Sequence, residues 1–237
     1  RRREESAQAK ELLHRMLRWP LGDAERAKIQ LRLASLALDQ GNTAQAQTVF
    51  RLATESQEPS IRQLAYSGLG DVQMALGNPA QAQQAYEEVV RITKESPLAG
   101  YAAYQLGRIH LQLGTVDKAV EQFRQLISSA QGELADDARL ALALAYLHQR
   151  EHVLARAQLD AIRSQRPKSR LAARAAYYLA LLALGEEDDA RAQRLCRETL
   201  ETAPRSEEAI EARLLLTDLI ADRGSVQGSD AGARGAD

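Results

Sequence analysis

Leucine and small residues return along this chain in a fixed phase. A leucine stands directly before a small residue at Leu33-Ala34, Leu69-Gly70, Leu106-Gly107 and Leu142-Ala143, with spacings of 36, 37 and 36 residues between the small positions. Seven residues after each comes a polar turn, at Gly41, Gly77, Gly114 and, as the exception, Arg150. Twelve residues after it stands an alanine (Ala46, Ala82, Ala119, Ala155), and four beyond that a large side chain (Phe50, Tyr86, Phe123, Leu159). Apolar residues three and four apart on both sides of a glycine-marked turn predict two antiparallel helices. Each copy therefore predicts one helical hairpin, and the chain an array of hairpins.

The pattern has a packing logic. An alanine or glycine lets two helices approach closely, and the large side chain on the second helix fills the space beside it. Glycine inside a helix costs about 1 kcal/mol relative to alanine, so Gly70 and Gly107 imply a close backbone contact. The segments Asp39-Gln40-Gly41-Asn42, Leu76-Gly77-Asn78-Pro79 and Leu113-Gly114-Thr115-Val116-Asp117 are the turns within hairpins. Glycine suits the left-handed residue that closes a helix, and Pro79 the first turn of the next. Pro59, Pro97, Pro167 and Pro204 separate one hairpin from the following one.

A fifth copy can be phased in two ways. Aligning Gly185 with the earlier turns puts Tyr178 where a small residue is required, whereas aligning Pro204 with Pro167 gives Ala180, Ala192 and Cys196. The second phase is preferred, with a longer turn through residues 186–189.

This pattern resembles the tetratricopeptide repeat family over residues 23–222. Its small, alanine and aromatic positions are met in the four copies above, and its late proline by Pro167. The tyrosine usual three residues after the small position is present only as Tyr146, being Ala37, Gln73 and His110 elsewhere. Junctions such as Ser96-Pro97-Leu98-Ala99 lengthen the repeat beyond the usual 34 residues of this family. They resemble those of bacterial cell-envelope members, the Tol-Pal coordinator and outer-membrane assembly lipoproteins among them.

The resemblance implies an all-α, right-handed superhelical solenoid of about five hairpins with flanking helices. It also implies that the first helices line a concave face. The residues three before, one after and four after each small position would point into it: Leu31, Ser35 and Leu38; Ser67, Asp71 and Met74; Tyr104, Arg108 and Leu111; Leu140, Leu144 and Leu147; Tyr177, Leu181 and Leu184. From these, and from Tyr101 one turn before Tyr104, the expected partner-binding residues are Tyr101, Tyr104, Arg108, Leu111, Leu140, Leu144 and Tyr177. Leu140 and Leu144 have an equal claim to packing against the neighbouring repeat. Tyr101, Tyr104 and Arg108 stand out because an Ala-Leu core has no need of them. Tyrosine and arginine are also the residue types enriched where binding energy concentrates, and here suit a segment with apolar anchors and an acidic residue. The Lys and Asn pattern that grips a C-terminal carboxylate in chaperone-binding members is absent.

Three segments follow. Residues 1–22 form a helix with Ala9, Leu12, Leu13, Met16 and Leu17 on one face, read as the second helix of a repeat cut away upstream. Residues 23–222 carry the array, closed by a capping helix from Glu207 to Ala221, and residues 223–237 lack an apolar face and form a disordered tail.

Composition agrees with stacked helices: 45% of residues are hydrophobic but only 4% aromatic, leaving a core of alanine and leucine. The net charge of -1 gives no electrostatic case for nucleic acid. Cys196 is the single cysteine and reads as a small buried hydrophobe rather than a nucleophile. One catalytic string does occur, His148-Gln149-Arg150-Glu151-His152, which matches the H-x-x-E-H of inverted zinc peptidases. That chemistry needs both imidazoles on one unbroken helix, yet Arg150 holds the position of a turn glycine. Gly68-Leu69-Gly70 followed by Gly77 falls short of a dinucleotide loop, since no strand precedes it.

The expectation is therefore a non-catalytic scaffold with no cofactor and no metal, holding a protein or peptide segment in its groove. A bacterial envelope or secretion assembly, periplasmic rather than cytoplasmic, is the expected setting, with membrane attachment only through a segment upstream and the oligomeric state open. Two rivals are a regulatory or oligomerisation arm of a larger multidomain protein and, behind it, a metal-dependent hydrolase using His148 and His152.

Overall fold

The structure, a computed structural model, describes residues 2–233, with side chains from residue 7 to residue 221. Among the described residues there are twelve helices and no strand. They are α1 (Arg2–Met16), α2 (Asp23–Asp39), α3 (Thr43–Ala53), α4 (Pro59–Ala75), α5 (Pro79–Ile92), α6 (Pro97–Gln112), α7 (Val116–Ser129), α8 (Glu133–His148), α9 (His152–Gln165), α10 (Arg170–Gly185), α11 (Asp189–Thr202) and α12 (Glu207–Ala233). The chain forms two compact units, one ending at Ala130 and the other beginning at Gln131. Within each, consecutive helices pack as pairs: α2/α3, α4/α5 and α6/α7 in the first, α8/α9 and α10/α11 in the second, followed by α12. This is an all-α repeat fold.

One backbone device makes all five hairpins. The positive-φ residues at the turns are Gly41, Gly77, Gly114, Arg150 and Glu187, spaced by 36, 37, 36 and 37 residues. Each donates its N–H to the carbonyl three residues back, and the next residue donates to the carbonyl five back, as Asn42 does to Ala37 and Asp188 to Ala183. These paired bonds satisfy carbonyls that a helix end leaves open. The fifth repeat follows the phase set by Ala180, Ala192 and Cys196, all fully buried. Its turn is no longer than the others, contrary to expectation, because Glu187 itself takes the left-handed conformation with φ 60. Gly185 is the last residue of α10 instead.

The junctions between hairpins share a second device. Ser96, Ser169 and Ser206 accept through their hydroxyls the N–H of Ala99, Ala172 and Ala209, each at 3.0 to 3.1 Å. A serine cap relieves one of the open donors at a helix start. At the junction before α6 the buried Gln63 side chain adds bonds to Val89 O, Thr93 O and Ser96 Oγ, tying α4 to the end of α5.

Small positions meet large side chains as the pattern requires. A Cβ added at Gly70 would lie 2.5 Å from Tyr86 Cε1, and one at Gly107 would lie 2.5 Å from Phe123 Cε1. Gly68 faces the Phe50 ring in the same way, so helix packing accounts for the Gly68-Leu69-Gly70 string. From sequence, Gly107→Ala looks harmless. The structure corrects this, since the Phe123 ring is fully buried and has nowhere open to retreat.

The chain ends differ in detail from expectation. In α1, Ala9, Leu13 and Met16 are half-buried, as is Leu17 just after it, but Leu12 is 56% exposed. The backbone of α12 continues through residues 223–233 of the expected tail, and residues 234–237 lie outside the described residues. No described helix is long and apolar enough to cross a membrane.

Candidate functional site

Three first helices of the first unit present their +1 residues to one cavity of about 490 Å³, and two of them their +4 residues as well. Helix α2 supplies Ser35 and Leu38, α4 supplies Asp71 and Met74, and α6 supplies Arg108. Between and behind them, Phe50 from α3, Tyr86 from α5, and Tyr101 and Gln105 from α6 complete the wall, with Asp39 at the end of α2. The spacing rule explains the assembly: residues three and four apart share a helix face, and the first helices pack directly on one another, α2 on α4 and α4 on α6.

At its centre is Asp71. The hydroxyls of Tyr86 and Tyr101 both donate to Asp71 Oδ1, each at 2.6 Å, and the two rings meet edge to face with centroids 6.2 Å apart. Burial pushes the Asp71 carboxyl above its ordinary value, outweighing the lowering by the Tyr101 and Tyr86 hydroxyls, and Asp39 pushes the same way. Tyr101 is pushed up to about 12, by burial first and then by its bond to Asp71 and that carboxylate's charge. Burial, then Asp71, raises Tyr86 as well. All three groups are thus held with the proton on the tyrosines.

Beside this network lies a second pair. The Arg108 guanidinium sits 6.0 Å from the Tyr104 ring centroid and donates to Gln105 Oε1 at 3.1 Å. Tyr104 in turn packs on Phe123 with centroids 5.9 Å apart. Arg108 is exposed, whereas Tyr101, Tyr104 and Leu111 are half-buried. The structure therefore brings Tyr101, Tyr104, Arg108 and Leu111 onto one stretch of α6.

The remaining expected residues belong to the second unit. Leu144 on α8 is half-buried, and Tyr177 on α10 is half-buried with its ring 5.7 Å from that of Tyr178. Leu140 departs from expectation: it is 5% exposed and sits in the core with Ala143, Leu159 and Leu179, leaving no surface for a partner. The same holds for Leu31 and Ser67, which are 3% and 5% exposed. The position three before the small residue thus points into the repeat-to-repeat packing in three copies, and only Tyr104 and Tyr177 keep part of it open.

Sequence reasoning missed Asp39, Phe50, Tyr86 and Gln105 as site residues. A signal for Tyr86 existed. It carries a hydroxyl at a position filled elsewhere by Phe50 and Phe123, and a buried hydroxyl requires a partner, which Asp71 on the preceding helix provides.

The H-x-x-E-H string does not make its helix. His148 ends α8, His152 begins α9, and Arg150 between them has φ 62. Among the described residues no three His, Cys, Asp or Glu side chains come together in a way that could hold a metal ion. Cys196 is buried, and burial raises its thiol above the ordinary range, the opposite of what a nucleophilic thiolate requires.

Comparison with known proteins agrees with this architecture. A tetratricopeptide repeat model matches residues 67–133 and again 104–170, and a tetratricopeptide repeat-like domain matches residues 2–98. No curated protein matches the chain. Among solved structures it is similar to YrrB, described as a TPR protein with an unusual peptide-binding site, at 19% identity and a TM-score of 0.59, covering 86% of this chain and 98% of that one. It is similar to PilW, a widely conserved type IV pilus biogenesis factor, at 14% identity and a TM-score of 0.68, covering 91% and 94%. The tetratricopeptide repeat sensor of a signal transduction ATPase with numerous domains from Pyrococcus horikoshii gives a TM-score of 0.77 at 16% identity, covering 94% of this chain but 37% of that one. Repeat phase, hairpin turns, small-to-large packing and these matches lead to one conclusion: the chain belongs to the tetratricopeptide repeat family.

Proposed function

We propose that this protein is a non-catalytic interaction scaffold that holds a peptide or protein segment against α2, α4 and α6 of its first unit. The observation that carries this reading is the cavity there, where aromatic and aliphatic walls surround a few converging polar groups, Asp71, Gln105 and Arg108. Recognition sites commonly combine apolar walls with a small number of placed polar groups. Tyr101, Tyr104, Arg108 and Leu111 are the proposed contact residues on α6. The peptide-binding site in the description of YrrB supports the same ligand class, and the pilus-biogenesis role in that of PilW supports an envelope or secretion setting.

The test is a double variant, Tyr104→Ala with Arg108→Glu. It should abolish capture of the natural partner from a cell extract while leaving the chain folded and its helicity nearly unchanged, with a modestly lower melting temperature because Tyr104 packs on Phe123. Capture of the same partners by the variant would move the site elsewhere, with the exposed Trp19 as the next candidate.

A second reading has its own support. The similarity to the repeat sensor of a much longer ATPase, of which the match covers 37%, fits a regulatory arm of a multidomain protein. The coding sequence on either side of this chain separates the two readings.

A further inference from the structure

Asp71 carries a charge that the fold does not neutralise. Its hydrogen-bond donors are two neutral hydroxyls, from Tyr86 and Tyr101. The other charge acting on it is Asp39, of the same sign. A cation lines the same cavity, yet Arg108 lies over the Tyr104 ring and donates to Gln105, leaving Asp71 to its tyrosines. A half-buried carboxylate between two aromatic rings, open to a cavity of about 490 Å³, is electrostatically incomplete.

Resting on the groove reading above, we infer that the Asp71 pocket is the seat of a basic side chain, lysine or arginine, carried by the bound peptide segment. Three properties fit this occupant. The carboxylate offers a charge-assisted bond to an ammonium or guanidinium group. The half-buried Tyr101 ring adds a face to which a cation is attracted. Leu38 and Met74, both half-buried, supply apolar wall for the methylene stem that such side chains bury while the charged head reaches a polar group. An acidic anchor in this pocket would meet Asp71 and Asp39 and be repelled. Arg108, at the edge, is left to grip a backbone carbonyl or an acidic residue further along the same segment.

The experiment uses a displayed library of random linear dodecapeptides. It is selected on the whole chain and counter-selected on the Tyr104→Ala/Arg108→Glu variant, so that only groove-dependent binders remain. These should share a lysine or arginine at one position. Replacing that residue with glutamine should weaken binding to the parent at least about tenfold, the order expected for one charge-assisted contact. The same replacement should make little difference to binding by Asp71→Asn, which keeps an oxygen acceptor for both tyrosines. The peptide-side change is read on the parent protein, so the outcome does not depend on how well Asp71→Asn folds. Groove-dependent binders without a shared basic residue, or with one whose loss is felt equally by parent and Asp71→Asn, overturn this inference and leave the groove reading standing. A selection that yields no groove-dependent binder overturns both.

Discussion

Gly107→Ala is the substitution in which helix propensity and packing make opposite predictions. On propensity alone, alanine in the middle of α6 should stabilise by about 1 kcal/mol. The structure places the new Cβ 2.5 Å from Phe123 Cε1, 2.6 Å from Cζ and 3.0 Å from Cδ1. To regain an ordinary 3.4 Å contact the ring must retreat by about 0.9 Å. It is fully buried and backed by Tyr104, so the shift propagates into the neighbouring packing. Overpacking of this kind costs about 1 to 3 kcal/mol, which cancels or outweighs the propensity gain. The expected net change runs from near zero to a loss of about 2 kcal/mol. Urea unfolding followed by far-ultraviolet circular dichroism measures it. Phe123→Leu is the control: removing the ring edge should let Gly107→Ala recover its propensity gain, giving a marked non-additivity between the two changes. If Gly107→Ala alone stabilises by the full 1 kcal/mol or so, the close approach of α6 and α7 is wrong.

Other expectations rest on other parts of the fold. Arg150→Gly should stabilise by about 1 kcal/mol, because Arg150 holds φ 62 where three other turns have glycine; chemical unfolding reads it, and a loss of stability would mean that the Arg150 side chain contributes more than its backbone strains. Gln63→Leu should lower stability by about 1 to 3 kcal/mol, since it removes the donor to Val89 O, Thr93 O and Ser96 Oγ; an unchanged unfolding midpoint refutes the role given to it. Asp71 holds its proton more tightly when folded than its ordinary value of 3.8 implies. The neutral form therefore contributes stability that is present below that value and lost as pH rises through the folded one. Asp71→Asn, permanently neutral, should melt above the parent near pH 7, with the gap closing toward about pH 4; a parent that melts higher near pH 7 contradicts the sign.

How far the sequence carried the account depended on how local each feature is. The repeat phase was legible because every copy repeats the same small-to-large contact, from Gly70 with Tyr86 to Gly107 with Phe123. The fifth turn was harder to read because glycine is an attractive turn marker, and the left-handed position fell instead on Glu187, two residues beyond Gly185. Within the site, the +1 positions of the three first helices and the +4 positions of α2 and α4 were legible, since one helix face dictates them. The position three before the small residue was not, because the neighbouring repeat decides whether it is covered, as it covers Leu31 and Leu140. The Asp71 network draws on α4, α5 and α6 together. No single-helix pattern could announce it, although the odd hydroxyl of Tyr86 was a clue.

The central claim, that the first helices of the first unit hold a peptide or protein segment, is tested most directly by photo-crosslinking. A benzophenone amino acid placed at Leu38 on α2 or Leu111 on α6, both half-buried, reports the groove, and one placed at the exposed Glu87 on α5 reports the outer surface. The account predicts that the partner captured from extract crosslinks from Leu38 and Leu111 and not from Glu87. Crosslinking from Glu87 with none from the two groove positions would contradict it.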